Sequence, residues 1–241
     1  MDIERLNKQL FLWIQSLNKK DKNFLLARLA SLKSVYPFNE YEYRLMFLLN
    51  KKIISFEDYE KLRHAYVQER PYLELFGISP RRFGDIWAKQ HLRDIDNRLQ
   101  DPSKKIDSNY QGEYDLYLPQ KERIIKIEVK ACRAINTKKA GGLETKALNF
   151  VSKEQFWMNF QQLKLNIVDV FVFIGVWTDK ILYWVLSNEE VKENPFRSHQ
   201  HRGGIEYQIG ITNENIQEFE KYLVEPKNLV GMVIKKAKKK I

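Results

Sequence analysis

The feature that most constrains the fold is a short, almost wholly apolar run at residues 168–177, which reads VDVFVFIGVW. A run this short and this apolar predicts a β-strand that is covered on both faces. Residues 180–187 are also mostly apolar and predict an antiparallel partner across Thr178 and Asp179. A doubly covered strand needs a layer on each side of its sheet, so the chain is expected to fold as an α/β protein.

A second hairpin is predicted upstream, from residues 112–118 and 123–130. Pro119 begins the loop between them, because proline starts turns and cannot continue a central strand. With a four-residue loop, Leu116 faces Ile125 and Tyr114 faces Ile127. One face is then apolar and consists of Leu116, Leu118, Ile125, Ile127 and Val129. The other face carries Asp115, Lys126, Glu128 and Lys130, with Asp115 opposite Lys126 and diagonal to Glu128.

Two carboxylates beside an ammonium group, on a sheet face that a substrate could reach, suit phosphodiester hydrolysis. Hard oxygen ligands such as Asp115 and Glu128 hold Mg²⁺, which assists attack of water on phosphorus. Lys130 is positioned to orient or deprotonate that water. The hairpin therefore predicts a metal site with an adjacent proton acceptor.

At this point the residues resemble a known family. Asp115, followed by Glu128-Val129-Lys130 at the end of a hydrophobic strand, is similar to the PD-(D/E)xK nuclease signature. The resemblance implies that Asp115, Glu128 and the carbonyl of Val129 bind Mg²⁺, and that Asp115, Glu128 and Lys130 are catalytic. Tyr114 stands where the family has its leading proline.

The tripeptide acid-x-Lys is by itself uninformative, because three further copies begin at Glu144, Glu190 and Glu225. Only the copy at Glu128 ends an alternating apolar strand that another Asp-bearing strand precedes. The alternative for this copy is a solvated strand face whose charges keep a sheet edge soluble.

Composition sets the wider limits. The chain has 241 residues, enough for a full core, and 41 Lys and Arg against 31 Asp and Glu give a net charge of +10. A polyanionic partner such as DNA is favoured. The single cysteine, Cys132, excludes an internal disulfide and a cysteine-based zinc cluster. With no long apolar run and no signal-like N-terminus, we expect a soluble, cytoplasmic protein without a membrane partner.

Helical spacing of apolar residues dominates residues 1–70, so we predict a helical subdomain at 1–78 and a nuclease core at 79–241. Ser79 and Pro80 are expected to begin a helix that runs to about residue 97. Its Asp85 is a candidate auxiliary acid, and the alternative is a first-turn acid favoured by the helix dipole. Another helix is predicted from Ser152 to Lys164, because Phe156, Phe160 and Leu163 recur at core spacing.

Two basic segments are candidates for DNA contacts. Residues 131–150 form a glycine-containing segment without clear periodicity, and such long loops are often functional. Residues 194–209 contain arginines whose forked donors match phosphates and guanine edges. The predicted DNA-binding residues are Arg133, Lys138, Lys139, Lys146, Arg197, His199, His201 and Arg202.

Taken together, we expect a restriction-endonuclease-like α/β fold, with a mixed central sheet flanked by helices and an N-terminal helical subdomain. The resemblance implies a Mg²⁺-dependent type II restriction endonuclease that cuts double-stranded DNA and leaves 5′-phosphate and 3′-hydroxyl ends. A palindromic target would make the enzyme a homodimer. The alternatives are a repair or junction-resolving nuclease with the same core, and a noncatalytic basic DNA-binding protein.

Overall fold

The N-terminal part of the chain is helical, as predicted. The structure is a computed structural model and describes residues 3–31, 39–121, 123–199 and 206–238. The first four helices are α1 (Ile3–Ser16), α2 (Lys19–Ser31), α3 (Asn39–Asn50) and α4 (Phe56–Gln68). Ser55 and Asp58 form the predicted capping box of α4. These helices share a core of their own, with Leu25, Leu45 and Leu48 fully buried at its centre.

The predicted helix after Ser79 is also present, with an irregular first half. A π-helical turn over Arg82–Trp87 leads into α5 (Ala88–Ile95). The wider turn changes the helical phase, so Phe83 and Leu92 are buried while Ile86 is 62% exposed. Helix α5 packs on the sheet through Ala88 and Leu92.

Five strands form the mixed central sheet that the sequence predicts. The strands of the whole chain are β1 (Leu116–Pro119), β2 (Ile124–Arg133), β3 (Trp157–Leu163), β4 (Val170–Val176), β5 (Ile181–Ser187), β6 (Arg197–His199), β7 (Tyr207–Thr212) and β8 (Leu223–Val224). The central sheet has the order β1-β2-β4-β5-β8. Strands β2 and β4 run parallel, and the other pairs are antiparallel.

The predicted helix at residues 152–164 is wrong, since most of that segment is strand β3 of a second sheet, with the order β3-β7-β6. Phe156, Met158 and Phe160 alternate into the core, and a β-bulge follows. Gln162, in the bulge, has a positive φ of 58°. The bulge adds one residue before the next buried position, Leu163. The bulge converts strand alternation into spacings of four and three, which imitate a helix.

The central sheet is covered on both faces, as the apolar run predicts. Helices α5 and α8 (Leu229–Ala237) pack on one face, where Leu92 and Val233 are fully buried. The second sheet covers the other face through residues such as Phe160 and Ile209. Lys236 of α8 is 9% exposed, and its ammonium lies 2.5 Å from the Glu190 carboxylate.

The remaining elements are short helices and helical turns in the connecting segments. The bounds are α6 (Leu143–Lys146), α7 (Asn188–Lys192) and 3₁₀ turns at Leu73–Phe76, Ile216–Tyr222 and Pro226–Asn228. Within the described part of the chain, no helix has the length and apolar character needed to cross a membrane.

The β1–β2 hairpin forms with a register two residues away from the predicted one. Leu116 pairs with Ile127 and Leu118 with Ile125, and the Gln120 N–H donates to the Arg123 carbonyl to close the turn. Because the shift is even, every side chain keeps its predicted face. The five apolar residues predicted to share a face all lie in the core beneath α5 and α8.

Candidate active site

Asp115 lies just before β1 and next to the open edge of β2. Its backbone N–H donates to the carbonyl of Ile127, and its Oδ2 accepts from the backbone N–H of Val129 at 2.9 Å. In an extended strand the N–H and C=O of one residue point to the same edge. The Val129 carbonyl therefore points to the edge where the Asp115 carboxylate lies.

Glu128 is the most buried carboxylate of the site, with only 4% of its surface exposed. Its position opposite Phe171 on β4 directs it toward the layer between the two sheets. Burial raises the pKa of Glu128, and the neighbouring Asp115 charge acts in the same direction, while Lys130 opposes the shift. The ammonium of Lys130 lies 2.7 Å from Glu128 Oε1 and 20% of its side chain is exposed.

The structure thus brings Asp115, Glu128 and Lys130 together, with one correction to the predicted arrangement. Lys126 lies opposite Tyr117 rather than Asp115 and forms an ion pair with Asp107 at 2.6 Å. Continued by one residue, the observed register places Asp115 opposite Glu128 and not opposite Lys126.

Two lysines that the sequence analysis did not single out extend the site. Lys89 of α5 places its Nζ 3.9 Å from Asp115 Oδ1. Lys164 follows β3, and its charge lowers the pKa of Glu128 against the larger effect of burial. Lys89 lies beside the buried face of a predicted helix, and nothing in the sequence pattern marks it as a site residue. Lys164 was predicted to belong to a helix that does not form.

Strand β3 reaches the site because it runs antiparallel alongside the end of β2. The Trp157 N–H donates to the Ile135 carbonyl at 3.0 Å, and the Cys132 thiol donates to the Asn159 carbonyl at 3.0 Å. After the bulge, Lys164 is close enough to Glu128 for its charge to act on that carboxylate. Burial raises the pKa of Cys132 to about 12, so this thiol is a packing residue.

The donor set fits Mg²⁺ better than a softer ion. It consists of carboxylate oxygens of Asp115 and Glu128 and the Val129 carbonyl, and Mg²⁺ characteristically binds one or two carboxylates while keeping several waters. In the described ranges, His, Cys, Asp and Glu side chains form no group of three or more that could hold a metal ion. Any ion at the hairpin would therefore complete its coordination with the backbone and water.

Arg133, predicted to contact DNA, belongs to the core. It is 8% exposed, its guanidinium lies 3.9 Å from the centre of the Phe83 ring, and it donates to the Ile78 carbonyl at 2.7 Å. Burial lowers the pKa of Arg133 to about 10. The prediction that Arg133 contacts DNA is therefore corrected. Strand β2 extends three residues beyond Lys130, and this extension places Arg133 under the π-helical turn.

The three lysines predicted to contact DNA in the following segment lie nearer the surface. Lys138 donates to the Gln155 side chain at 3.0 Å, and Lys139 forms an ion pair with Glu154 at 2.7 Å. Lys146 ends α6 and is half-buried. Lys138 and Lys139 are therefore held against the segment that leads into β3.

The second basic segment is only partly described. Arg197 and His199 belong to β6, where the Arg197 guanidinium lies 4.6 Å from the Tyr207 ring centre and the His199 ring 4.7 Å from it. His201 and Arg202 fall outside the described residues. The arrangement offers a cationic and aromatic edge on the second sheet.

Asp85, the candidate auxiliary acid, is turned toward solvent. Its carboxylate lies 3.6 Å from the Arg81 guanidinium, and 64% of its side chain is exposed. The residue that α5 contributes beside Asp115 is the cation Lys89 and not an acid.

Comparisons with known proteins do not assign the chain to a family. A scan against protein-family models, a search of curated proteins and a search of solved structures each gave no match.

Proposed function

We propose that the protein is a Mg²⁺-dependent endonuclease that hydrolyses phosphodiester bonds of double-stranded DNA, most similar to type II restriction enzymes. The observation that carries the proposal is the burial of the Glu128 carboxylate beside Asp115, with Lys130 at 2.7 Å. Burial disfavours the ionised form of a carboxylate, so burying the Glu128 side chain costs stability. Costs of this kind are concentrated at functional sites. A bound divalent cation would offset that cost.

The residues divide the reaction among them. Asp115, Glu128 and the Val129 carbonyl would hold Mg²⁺, which when bound supplies a Lewis acid for the water and for the phosphoryl oxygens. Lys130 is held by Glu128, and its ammonium would orient the attacking water; only after losing its own proton could the amine accept one from that water. Water attacks phosphorus in line and the 3′ oxygen leaves, so the products carry 5′-phosphate and 3′-hydroxyl ends.

We include in this proposal that the fold is restriction-endonuclease-like. An antiparallel hairpin that carries the acids, next to a parallel β2–β4 pair with helices on one face, supports a restriction-endonuclease-like core. A cytoplasmic homodimer acting on a palindromic sequence is the corresponding assembly. The net charge of +10 supports DNA as the substrate.

The test is to incubate the purified protein with a mixture of plasmids and Mg²⁺, with an EDTA control and an Asp115→Asn control. Discrete fragments that need Mg²⁺ and Asp115 support a restriction enzyme. Cutting confined to branched or damaged DNA would make the protein a repair or resolving nuclease. Tight binding without cutting would contradict catalysis and leave a DNA-binding protein.

A further inference from the structure

Each carboxylate of the site has one oxygen that is already engaged. Asp115 Oδ2 accepts from the Val129 N–H at 2.9 Å, and Glu128 Oε1 lies 2.7 Å from Lys130 Nζ. The second oxygens, Asp115 Oδ1 and Glu128 Oε2, are therefore the ones best placed to receive a cation.

Lys89 approaches the first of these oxygens from outside the hairpin. Its Nζ lies 3.9 Å from Asp115 Oδ1, which is too long for a hydrogen bond but close enough for electrostatic attraction. The backbone of α5 is held in place, because Ala88 and Leu92 on either side are fully buried. The flexible lysine stem, 28% exposed, can turn while its helix stays fixed.

Charge indicates what this ammonium does when the site is loaded. Asp115 and Glu128 carry two negative charges, and Lys89, Lys130 and Lys164 carry three positive charges. A divalent cation adds two positive charges, so the loaded site attracts an anionic phosphate. Of the three lysines, Lys89 is the one that faces the Asp115 oxygen that a cation would take.

We propose that Lys89 is a phosphate-binding residue of this site. Its ammonium faces Asp115 Oδ1 in the free protein and contacts a non-bridging oxygen of the scissile phosphodiester in the DNA complex. The inference rests on the proposed nuclease function and adds a substrate contact from outside the Asp115–Glu128–Lys130 set. Repulsion between Lys89 and a cation that takes the same carboxylate oxygen favours the move toward phosphate.

The experiment compares Lys89→Met, which keeps the length and apolar stem, with Lys89→Arg, which keeps the charge. Arg93→Met is the matched control, because Arg93 lies one turn along α5, has the same 28% exposure and forms an ion pair with Asp101. DNA affinity is measured in Ca²⁺ over a range of salt concentrations. Single-turnover cleavage is measured in Mg²⁺ with saturating enzyme, and circular dichroism gives the folded fraction.

Lys89→Met is expected to lower the slope of log affinity against log salt by about one unit and to slow single-turnover cleavage at least about tenfold. Lys89→Arg should keep the slope, and Arg93→Met should match the wild type in both measurements. If Lys89→Met behaves like Arg93→Met while the wild type cuts DNA, Lys89 only steadies Asp115 and the inference is overturned. A wild type that neither binds nor cuts DNA overturns the proposed function itself. Should Lys89→Met fail to fold, Lys89→Gln is measured in the same way.

Discussion

Lys130 Nζ lies 2.7 Å from Glu128 Oε1, yet this ion pair does not fully compensate the burial of the carboxylate. The pKa of Glu128 is raised above 4.5, with burial as the largest cause. Folding therefore disfavours the ionised form of Glu128 relative to the unfolded chain. The pair therefore holds a charge in place at a cost in stability.

Glu128→Gln is accordingly expected to raise the melting temperature of the metal-free protein at pH 7. In the wild type, the contribution of Glu128 to the stability of the folded state is present in full below pH 4.5. It is lost as the pH rises through the higher pKa that Glu128 has in the folded state. The glutamine variant does not titrate, so the difference in melting temperature should grow from pH 4 to pH 7. A difference that shrank over that range, measured by differential scanning calorimetry, would contradict the raised pKa.

Adding Mg²⁺ should change the difference in melting temperature between the same two proteins in favour of the wild type. An ion that binds only the folded state raises the melting temperature, so Mg²⁺ should stabilise the wild type more than Glu128→Gln at pH 7. Equal shifts in both proteins would place the ion elsewhere. Li⁺ or Na⁺ at matched ionic strength controls for screening.

Asp115→Asn should abolish cleavage without disturbing the hairpin. The amide oxygen of the new side chain can still accept from the Val129 N–H, while the negative charge that would hold the ion is lost. We expect cleavage to fall at least about 100-fold, and metal-free DNA binding to hold or improve because carboxylate–phosphate repulsion is relieved. Gel-shift and cleavage assays on one preparation separate the two effects, and normal cutting would refute the site.

The repeated acid-x-Lys tripeptide supplies the control for this variant. Glu225 and Lys227 form an exposed ion pair at 2.8 Å, so Glu225→Gln should leave both stability and cleavage close to wild type. Glu190 is less suitable, since it closes the α7 capping box with Ser187 and pairs with Lys236. Glu190→Gln should lower the melting temperature while each folded molecule cuts normally.

The hairpin could be predicted because side-chain parity survives an even change of register. Asp115, Glu128 and the five apolar residues kept their faces although the pairing moved by two residues. The strand at Trp157–Leu163 could not be predicted in this way. Its bulge at Gln162 depends on contacts with β7, which is distant in sequence. Lys89 reaches Asp115 through packing of α5 on the sheet, which no local pattern encodes.

Arg133→Met should destabilise the fold rather than weaken DNA binding. The substitution keeps most of the buried stem but removes the charged donor to the Ile78 carbonyl and the contact with Phe83. Losing a hydrogen bond to a charged group costs about 1.5–3 kcal/mol, so we expect a loss of about 2 kcal/mol in urea unfolding. Arg81→Met, at a side chain 91% exposed, is the control and should change stability by less than about 0.5 kcal/mol.

The lysines of the segment before β3 should differ in their contribution to DNA binding. Lys138 donates to a neutral amide, so its charge is available to phosphate, whereas the charge of Lys139 is compensated by Glu154 at 2.7 Å. Lys139 also lowers the pKa of Glu154, which keeps that carboxylate ionised at neutral pH. Lys138→Ala should therefore lower the salt slope of binding by about one unit, and Lys139→Ala by less.

Glu154→Gln tests the same ion pair from its acidic side. Removing the carboxylate frees the Lys139 charge, so the variant should bind DNA more tightly at low salt, and its salt slope should rise toward one further phosphate contact. Glu57→Gln is the matched control, because Glu57 forms an exposed ion pair with Lys61 at 2.6 Å on α4. If Glu57→Gln raises the slope as much as Glu154→Gln does, DNA lies against the helical subdomain as well. If Lys138→Ala leaves the slope unchanged, the segment before β3 is a solvated surface and the DNA path lies elsewhere.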